Sequence, residues 1–208
     1  SHFYLHGIPS YNGVAIITQK EAESFDILDL SQLNHGRQIG IKIFGIHIHN
    51  FYIPSGGDVP NEKINLKFKN KLDFLKALIN WSKKIKPKNF LICGDFNIAP
   101  FEDDVWSHKQ LKDVVSHTEI ERKYLLKFLE VGNWNDAVRA QINPPENVFT
   151  WWSYRSKDFK INNRGRRLDH MWISNDLKKK NYSIKILDYT RTLSRPSDHV
   201  PIKIKINL

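Results

Sequence analysis

The sequence predicts an α/β protein in which β-sheets pack face to face with helices outside. Three observations carry that expectation. Short runs with strand-like alternation recur along the whole chain, and two stretches repeat apolar residues at helical spacing. No low-complexity linker and no repeat with a period of tens of residues divides the 208 residues, so a single domain over 1–208 is expected. A hydrophobic content of 40%, with six Trp, seven Tyr and twelve Phe, is ample for a large core.

The elements follow in order. The opening SHFYLHGIPSYNGVAIIT enters a strand pattern almost at once, and Val14–Thr18 reads as a short strand. RQIGIKIFGIHIHNFYI, from Arg37 to Ile53, alternates as a hairpin turning near Phe44 and Gly45. Pro54, Gly56 and Gly57 then force a loop. Phe68, Leu72, Leu75, Leu78 and Ile79 form one face of an amphipathic helix, with Lys67, Lys69, Lys71 and Lys76 assigned to the other face. Phe90–Gly94 is apolar enough for a buried strand. A second helix begins near Thr118, whose spacing to Glu121 is that of a capping box, turns Tyr124, Phe128 and Val131 inward and ends at Gly132. NVFTWWSY, RLDHMWIS, SIKILDY and PIKIKINL read as strands.

Composition narrows the function classes. No apolar run approaches the roughly 18 residues of a membrane span. No basic start followed by an apolar stretch marks a signal peptide. One cysteine, Cys93, rules out an internal disulfide and fits a reducing, cytoplasmic setting. The net charge of +10 points to a polyanion partner, nucleic acid first. Against that, 23 of the 32 basic residues are Lys in a chain rich in Ile and Asn, a bias that base composition alone can produce.

Three short stretches carry chemistry. In LICGDFNIAP, Asp95 and Asn97 stand where a buried strand meets solvent, and Gly94 leaves room for close approach by another group. On an extended backbone the two side chains project to one side, where a carboxylate and an amide can hold a hydrated divalent ion and a phosphate oxygen. A strand-end turn in which Asp and Asn bond their own backbone is the structural alternative. In RPSDHVPI, Asp198 and His199 put an acid and an imidazole on one tight turn, which reads either as a loop contact or as a proton-transfer site. In RRLDHMWIS, Asp169 lies among apolar neighbours and needs a partner, for which orienting an imidazole is a common catalytic use. His47 and His49 share one strand face, but no third metal ligand lies near them in sequence.

These stretches, in this order, resemble the exonuclease–endonuclease–phosphatase superfamily, and within it the exodeoxyribonuclease III branch of abasic-site endonucleases. SYNGVAIIT, NFYIPSGG, GDFNIAPFEDDVW, FTWWSYRS with NNRGRRLDHMWIS, and RPSDHVPI carry the resemblance over nearly the whole chain. It implies a four-layer α-β-β-α sandwich and a Mg²⁺-dependent nuclease, with Mn²⁺ as the alternative ion, that cuts duplex DNA at abasic sites and 3′ ends. It further implies a bacterial, cytoplasmic monomer. By the same resemblance Asp95 binds or activates the attacking water, Asn97 holds a non-bridging phosphate oxygen, and Asp198 helps ligate the metal. His199 contacts the phosphate or acts as base, Asp169 orients it, Tyr52 is the active-site tyrosine, and Arg37 lies near the phosphate. The metal set is then Asp95, Asn97, Asp198 and His199.

Trp151, Trp152 and Arg155 sit beside Lys157, Lys160, Arg164, Arg166 and Arg167. Aromatics interleaved with cations suit a duplex opened at a missing base, although strand alternation assigns one of the two tryptophans to the core. The resemblance also implies two earlier strands, bearing an Asn and a Glu ligand, that this sequence does not contain; an incomplete sheet and a weakened metal site are therefore expected. Two rivals remain at this point: another phosphodiesterase of the same fold, acting on inositol phosphates, sphingolipid or DNA without specificity, and a non-catalytic DNA-binding module.

Overall fold

The computed structural model describes residues 1–30, 36–155 and 158–207. Strands β1 (His2–Ile8) and β2 (Asn12–Thr18) form an antiparallel hairpin, followed by the short β3 (Ser24–Asp26). β4 (Gln38–Ile43) and β5 (Ile46–Tyr52) form the expected second hairpin. Its two turn residues, Phe44 and Gly45, both have positive φ (51° and 71°), the conformation that matches a two-residue turn to the twist of its strands.

Asn65 caps helix α1 (Leu66–Lys84), its side chain accepting from the amides of Lys67 and Phe68. The helix carries the chain back across the sheet, so β6 (Phe90–Asp95) pairs in parallel with β5. After the short α2 (His108–Leu111), helix α3 (Glu119–Val131) starts with the reciprocal Thr118–Glu121 capping box and stops at Gly132. There follow β7 (Asn135–Asp136), β8 (Trp151–Trp152), α4 (Phe159–Asn162), β9 (Gly165–Arg166), β10 (Asp169–Ile173), α5 (Asn175–Lys178), β11 (Tyr182–Ile186) and β12 (Ile202–Ile206). The run NVFTWWSY, expected as a full strand, is a strand only at Trp151 and Trp152, which pair with β9, and Trp151 also bridges His199 on the other side.

The central sheet has six strands in the order β3-β4-β5-β6-β10-β7. Helices α1 and α3 cover one face, burying Leu72, Leu75, Leu78 and Phe128 against Phe51, Ile92 and Trp172. The second β-layer is made of two separate hairpins: β1–β2 packs over β4 and β5, and β11–β12 packs over β10. Ile184, Ile204 and Ile206 of the latter lie on Leu91 and Ile173. The α/β architecture of two packed β-layers with helices outside is the one observed. Among the described residues both α-helices longer than four residues lie on the six-stranded side.

One face assignment is corrected. Lys71, placed with the outer lysines of α1, is completely buried. Its ammonium donates to Ser55 O (3.1 Å) and Asn97 O (2.9 Å) and pairs with the equally buried Glu121 of α3. The pairing is the reason a charge can occupy that position.

The sheet directions bring distant residues to one end. Because β5 and β6 are parallel, their last residues, Tyr52 and Asp95, stand side by side. Because β10 is antiparallel to β6, its first residue, Asp169, is the register partner of Asp95.

Candidate active site

The end of β6 is shaped by Gly94, whose φ is 129° and where any Cβ would lie 2.0 Å from Phe51 O, so only glycine lets β5 and β6 close together here. Two residues on, Asn97 takes a left-handed conformation (φ 53°) and folds back on Asp95. Its backbone N–H donates to Asp95 Oδ1 (2.9 Å); its side-chain amide donates to Asp95 Oδ2 (3.0 Å) and to Ile53 O (2.9 Å). The turn and the site are therefore the same structure. Asn97 uses both amide hydrogens on protein oxygens, so in this geometry it holds Asp95 rather than a phosphate.

His199 reaches the same place from the turn before β12. Its Nδ1 lies 2.8 Å from Asp169 Oδ2 and its Nε2 lies 4.0 Å from Asp95 Oδ2. An ionised carboxylate only accepts, so Nδ1 carries the proton and Nε2 is turned to Asp95. Burial, then the neighbouring charge of Asp169, pushes the Asp95 carboxyl up to about 7. For His199 burial opposes protonation, but the hydrogen bond and charge of Asp169, with Asp95 and Asp198 behind it, prevail and raise the imidazole to about 9.

The donor atoms of Asp95, Asp169 and His199 all lie within 4.8 Å of one another, a grouping that can hold a metal ion. This set differs from the one expected. Asp198 turns away, its Oδ2 accepting from the Trp151 indole (3.0 Å) and its carbonyl from Trp152 N (3.0 Å), while Asp169 takes the place among the clustered donors.

An open cleft of about 420 Å³ reaches Asp95, Asp169, His199, Asn50 and Tyr52. A second, of about 300 Å³, meets His199 from the other side, between Asn97, Trp151 and Arg166. The Tyr52 ring lies 4.7 Å from the Arg37 guanidinium, which is mostly buried and also faces the Tyr11 ring at 5.8 Å. A hollow of about 1200 Å³ beside α3 collects Lys112, Arg122, Lys123 and Lys127 and touches none of this chemistry.

The basic segment divides by exposure. Arg166 sits over the Trp151 ring at 5.5 Å and donates to Ser116 Oγ (2.7 Å); Arg164 lies over Trp106 at 4.7 Å; Arg155 is exposed. Trp152 is the core member of the tryptophan pair, its indole donating to Asn163 Oδ1. Arg167, expected to meet DNA, is fully buried: its guanidinium binds both oxygens of Asp104 and Oδ2 of Asp136, and Arg139 pairs with the same Asp104. It braces the loops behind the site and cannot reach a phosphate. Lys157 lies outside the described residues.

Sequence reasoning missed two supports. The Lys71–Glu121 pair closes behind Asn97, and a signal for it existed, since Lys71 falls three residues after Phe68 and four before Leu75, inside the apolar stripe. The Asp104–Arg139–Arg167–Asp136 network had none, its members being scattered along the chain.

The profile described as Endonuclease/Exonuclease/phosphatase family matches residues 1–199. The chain is 33% identical over 215 residues to a DNA-(apurinic or apyrimidinic site) endonuclease of Dictyostelium discoideum, covering 100% of this chain and 56% of that protein. It is 29% identical to the exodeoxyribonuclease III of Haemophilus influenzae, covering 97% and 79%. The solved AP endonuclease of Archaeoglobus fulgidus superposes with a TM-score of 0.90 at 31% identity, covering 100% of this chain and 79% of that one. A 3′ phosphatase from Neisseria bound to a product DNA hairpin superposes at 0.88 with 26% identity and the same coverage. The chain thus spans little more than half of the first relative and about four fifths of the others.

Proposed function

The chain belongs to the endonuclease/exonuclease/phosphatase family, and from that premise we propose that it hydrolyses DNA phosphodiesters at abasic sites and at 3′ ends of duplex DNA. The observation that carries the reading is the meeting of Asp95, Asp169 and His199 at one end of the sheet. The names of the relatives, which include an apurinic-site endonuclease and an exodeoxyribonuclease III, support the choice of substrate.

Each side chain has a defined task. Asp169 fixes the His199 ring through Nδ1, so that Nε2–H⁺ is presented to a non-bridging oxygen of the scissile phosphate, where negative charge builds up in the transition state. Asp95, with an elevated pKa and its two oxygens steadied by Asn97, is suited to accept a proton from the attacking water. Tyr52, beside Asp95 in the sheet register, lines the same cleft as Asp95, Asp169 and His199.

The cluster fits a divalent cation: two carboxylates and an imidazole bring their donor atoms within 4.8 Å of one another, and burial followed by the charge of Asp169 raises the Asp95 pKa despite His199 and Lys71. Oxygen donors favour Mg²⁺, which Asp95 and Asp169 would hold; when bound it supplies Lewis-acid polarisation of the phosphate.

DNA is held by the part of the basic segment that reaches the surface. The half-buried Arg166 and Trp151 line the second cleft, and the exposed Arg164, over Trp106, and Arg155 can grip phosphates beside a gap in the base stack. Among the described residues no helix is long and apolar enough to cross a membrane. The single free thiol, Cys93, supports a reducing, cytoplasmic setting, while a bacterial source and a monomeric state are what the family resemblance implies. The test is incision of a duplex with one abasic site in Mg²⁺, beside intact duplex, a 3′-recessed end and an inositol polyphosphate. Cleavage of the inositol ester in preference to DNA would overturn the substrate assignment.

A further inference from the structure

Thr150 is a fully buried threonine just before β8, and its side chain and main chain serve different parts of the site. The hydroxyl oxygen accepts from Leu168 N and Asp169 N, both at 3.0 Å. A hydroxyl has two lone pairs, so its accepting capacity is full. These amides need it: β7 accompanies β10 only at Trp172 and Ile173, so the entry of β10 has no strand neighbour on that side. The Thr150 carbonyl accepts from Val200 N at 2.8 Å, and its own N–H donates to Arg166 O at 2.9 Å. One residue therefore holds the backbone of Asp169 by its side chain and the residue after His199 by its main chain. Thr150 thus links the backbone at Asp169 to the backbone beside His199, on both sides of the 2.8 Å Asp169–His199 bond.

We infer that Thr150 is a positioning residue for the Asp169–His199 pair; the assignment rests on the phosphodiesterase reading above. Valine at this position would keep the shape but face two buried N–H groups with carbon. The entry of β10 then either shifts or loses two hydrogen bonds, and a displacement near 1 Å at a catalytic group is costly.

The experiment compares Thr150→Val and Thr150→Ser with the unaltered protein, alone and in an Asp169→Asn background. Incision of abasic duplex should fall on the order of 10- to 10²-fold in kcat for Thr150→Val with KM nearly unchanged, and Thr150→Ser should restore it. In the Asp169→Asn background Thr150→Val should have no further effect. Independently of activity, the proton on His199 Nδ1 should give a downfield resonance in the unaltered and Ser proteins that moves upfield in the Val protein. If Thr150→Val does not fold, Thr150→Cys, which keeps a weak acceptor in place, should show the same losses to a smaller degree. Equal loss in both backgrounds, or an unmoved Nδ1 resonance, would overturn the inference and leave Thr150 a purely structural residue. An unaltered protein that cuts no phosphodiester would count against the proposed function, and the resonance would still decide the role of Thr150.

Discussion

Asp169 Oδ2 and His199 Nδ1 lie 2.8 Å apart although thirty residues separate them in the chain. One is the first residue of β10 and the other precedes β12. The bond fixes the imidazole tautomer and turns Nε2 to Asp95. The two residues should therefore act as a unit. Asp169→Asn and His199→Ala should each reduce incision by at least ~10²-fold, and the double variant should be little worse than the poorer single one. Additive losses in a double-mutant cycle would show that they work separately.

Asp95→Asn should abolish turnover while leaving the fold in place, because Asn97 can still donate to the remaining carbonyl oxygen. Asn97→Ala should lower activity less, through a loosened Asp95. An Asn97→Ala loss as large as that of Asp95→Asn would instead give the amide a direct role on the phosphate. Steady-state kinetics on an abasic duplex in saturating Mg²⁺ distinguishes these outcomes.

The arginines of the basic segment should separate into two classes. Arg164→Ala and Arg166→Ala should weaken DNA binding, and each should lower the salt slope by about one unit. Arg167→Ala should leave the slope alone and cost stability, since it takes the counter-ion from Asp136 and one of two from the buried Asp104, which keeps Arg139, at roughly 3 kcal/mol. Binding titrations across a salt series, with urea unfolding alongside, make the comparison. A slope change in Arg167→Ala would contradict its burial.

Lys71→Met should destabilise by a similar ~3–5 kcal/mol, because Glu121 would stay buried without its counter-ion. Adding Glu121→Gln should recover part of that loss in urea unfolding. No recovery would mean that Lys71 matters chiefly through its bonds to the Ser55 and Asn97 carbonyls.

Much of this was legible in the sequence because it was local. The β4–β5 hairpin and the α3 capping box were written in neighbouring residues, and the motif around Asp95 marked a strand end. What could not be read was set by contacts between segments. Arg167 has the same neighbours in sequence as Arg166, yet strand alternation sends one inward to Asp104 and the other outward to Trp151. Asp198 stands next to His199, but the Trp151 indole turns its carboxylate out of the cluster. Asn97 is expected on an extended backbone, whereas its left-handed φ of 53° folds it back onto Asp95, a turn set by the contacts it makes with Asp95 and Ile53.

The last prediction concerns acid stability. His170 is almost wholly buried in β10, stacked on Phe96 with ring centroids 5.0 Å apart. Its Nε2 donates to Ile98 O at 2.8 Å, while Nδ1 is buried with no partner. Burial, reinforced by the Arg167 charge, lowers its pKa from 6.5 to about 4. The sign follows from proton counting. Above pH 6.5 the ring is neutral in both states and costs nothing. As the pH falls below 6.5 the unfolded chain takes up a proton that the folded protein refuses until about 4, so stability declines across that window and then levels off. At ~1.36 kcal/mol per pH unit the decline attributable to His170 is about 3 kcal/mol. His49, also lowered to about 4 mainly by burial, adds a decline of the same sign. His199, raised to about 9, acts at the other end: its contribution is full below 6.5 and is lost as the pH rises through 9. Urea unfolding of His170→Gln and the unaltered protein between pH 8 and 4 isolates the buried ring. The difference in unfolding free energy should stay constant above pH 6.5 and shift in favour of the variant below it. Parallel curves down to pH 4 would show that His170 accepts a proton in the folded state as readily as in the unfolded chain.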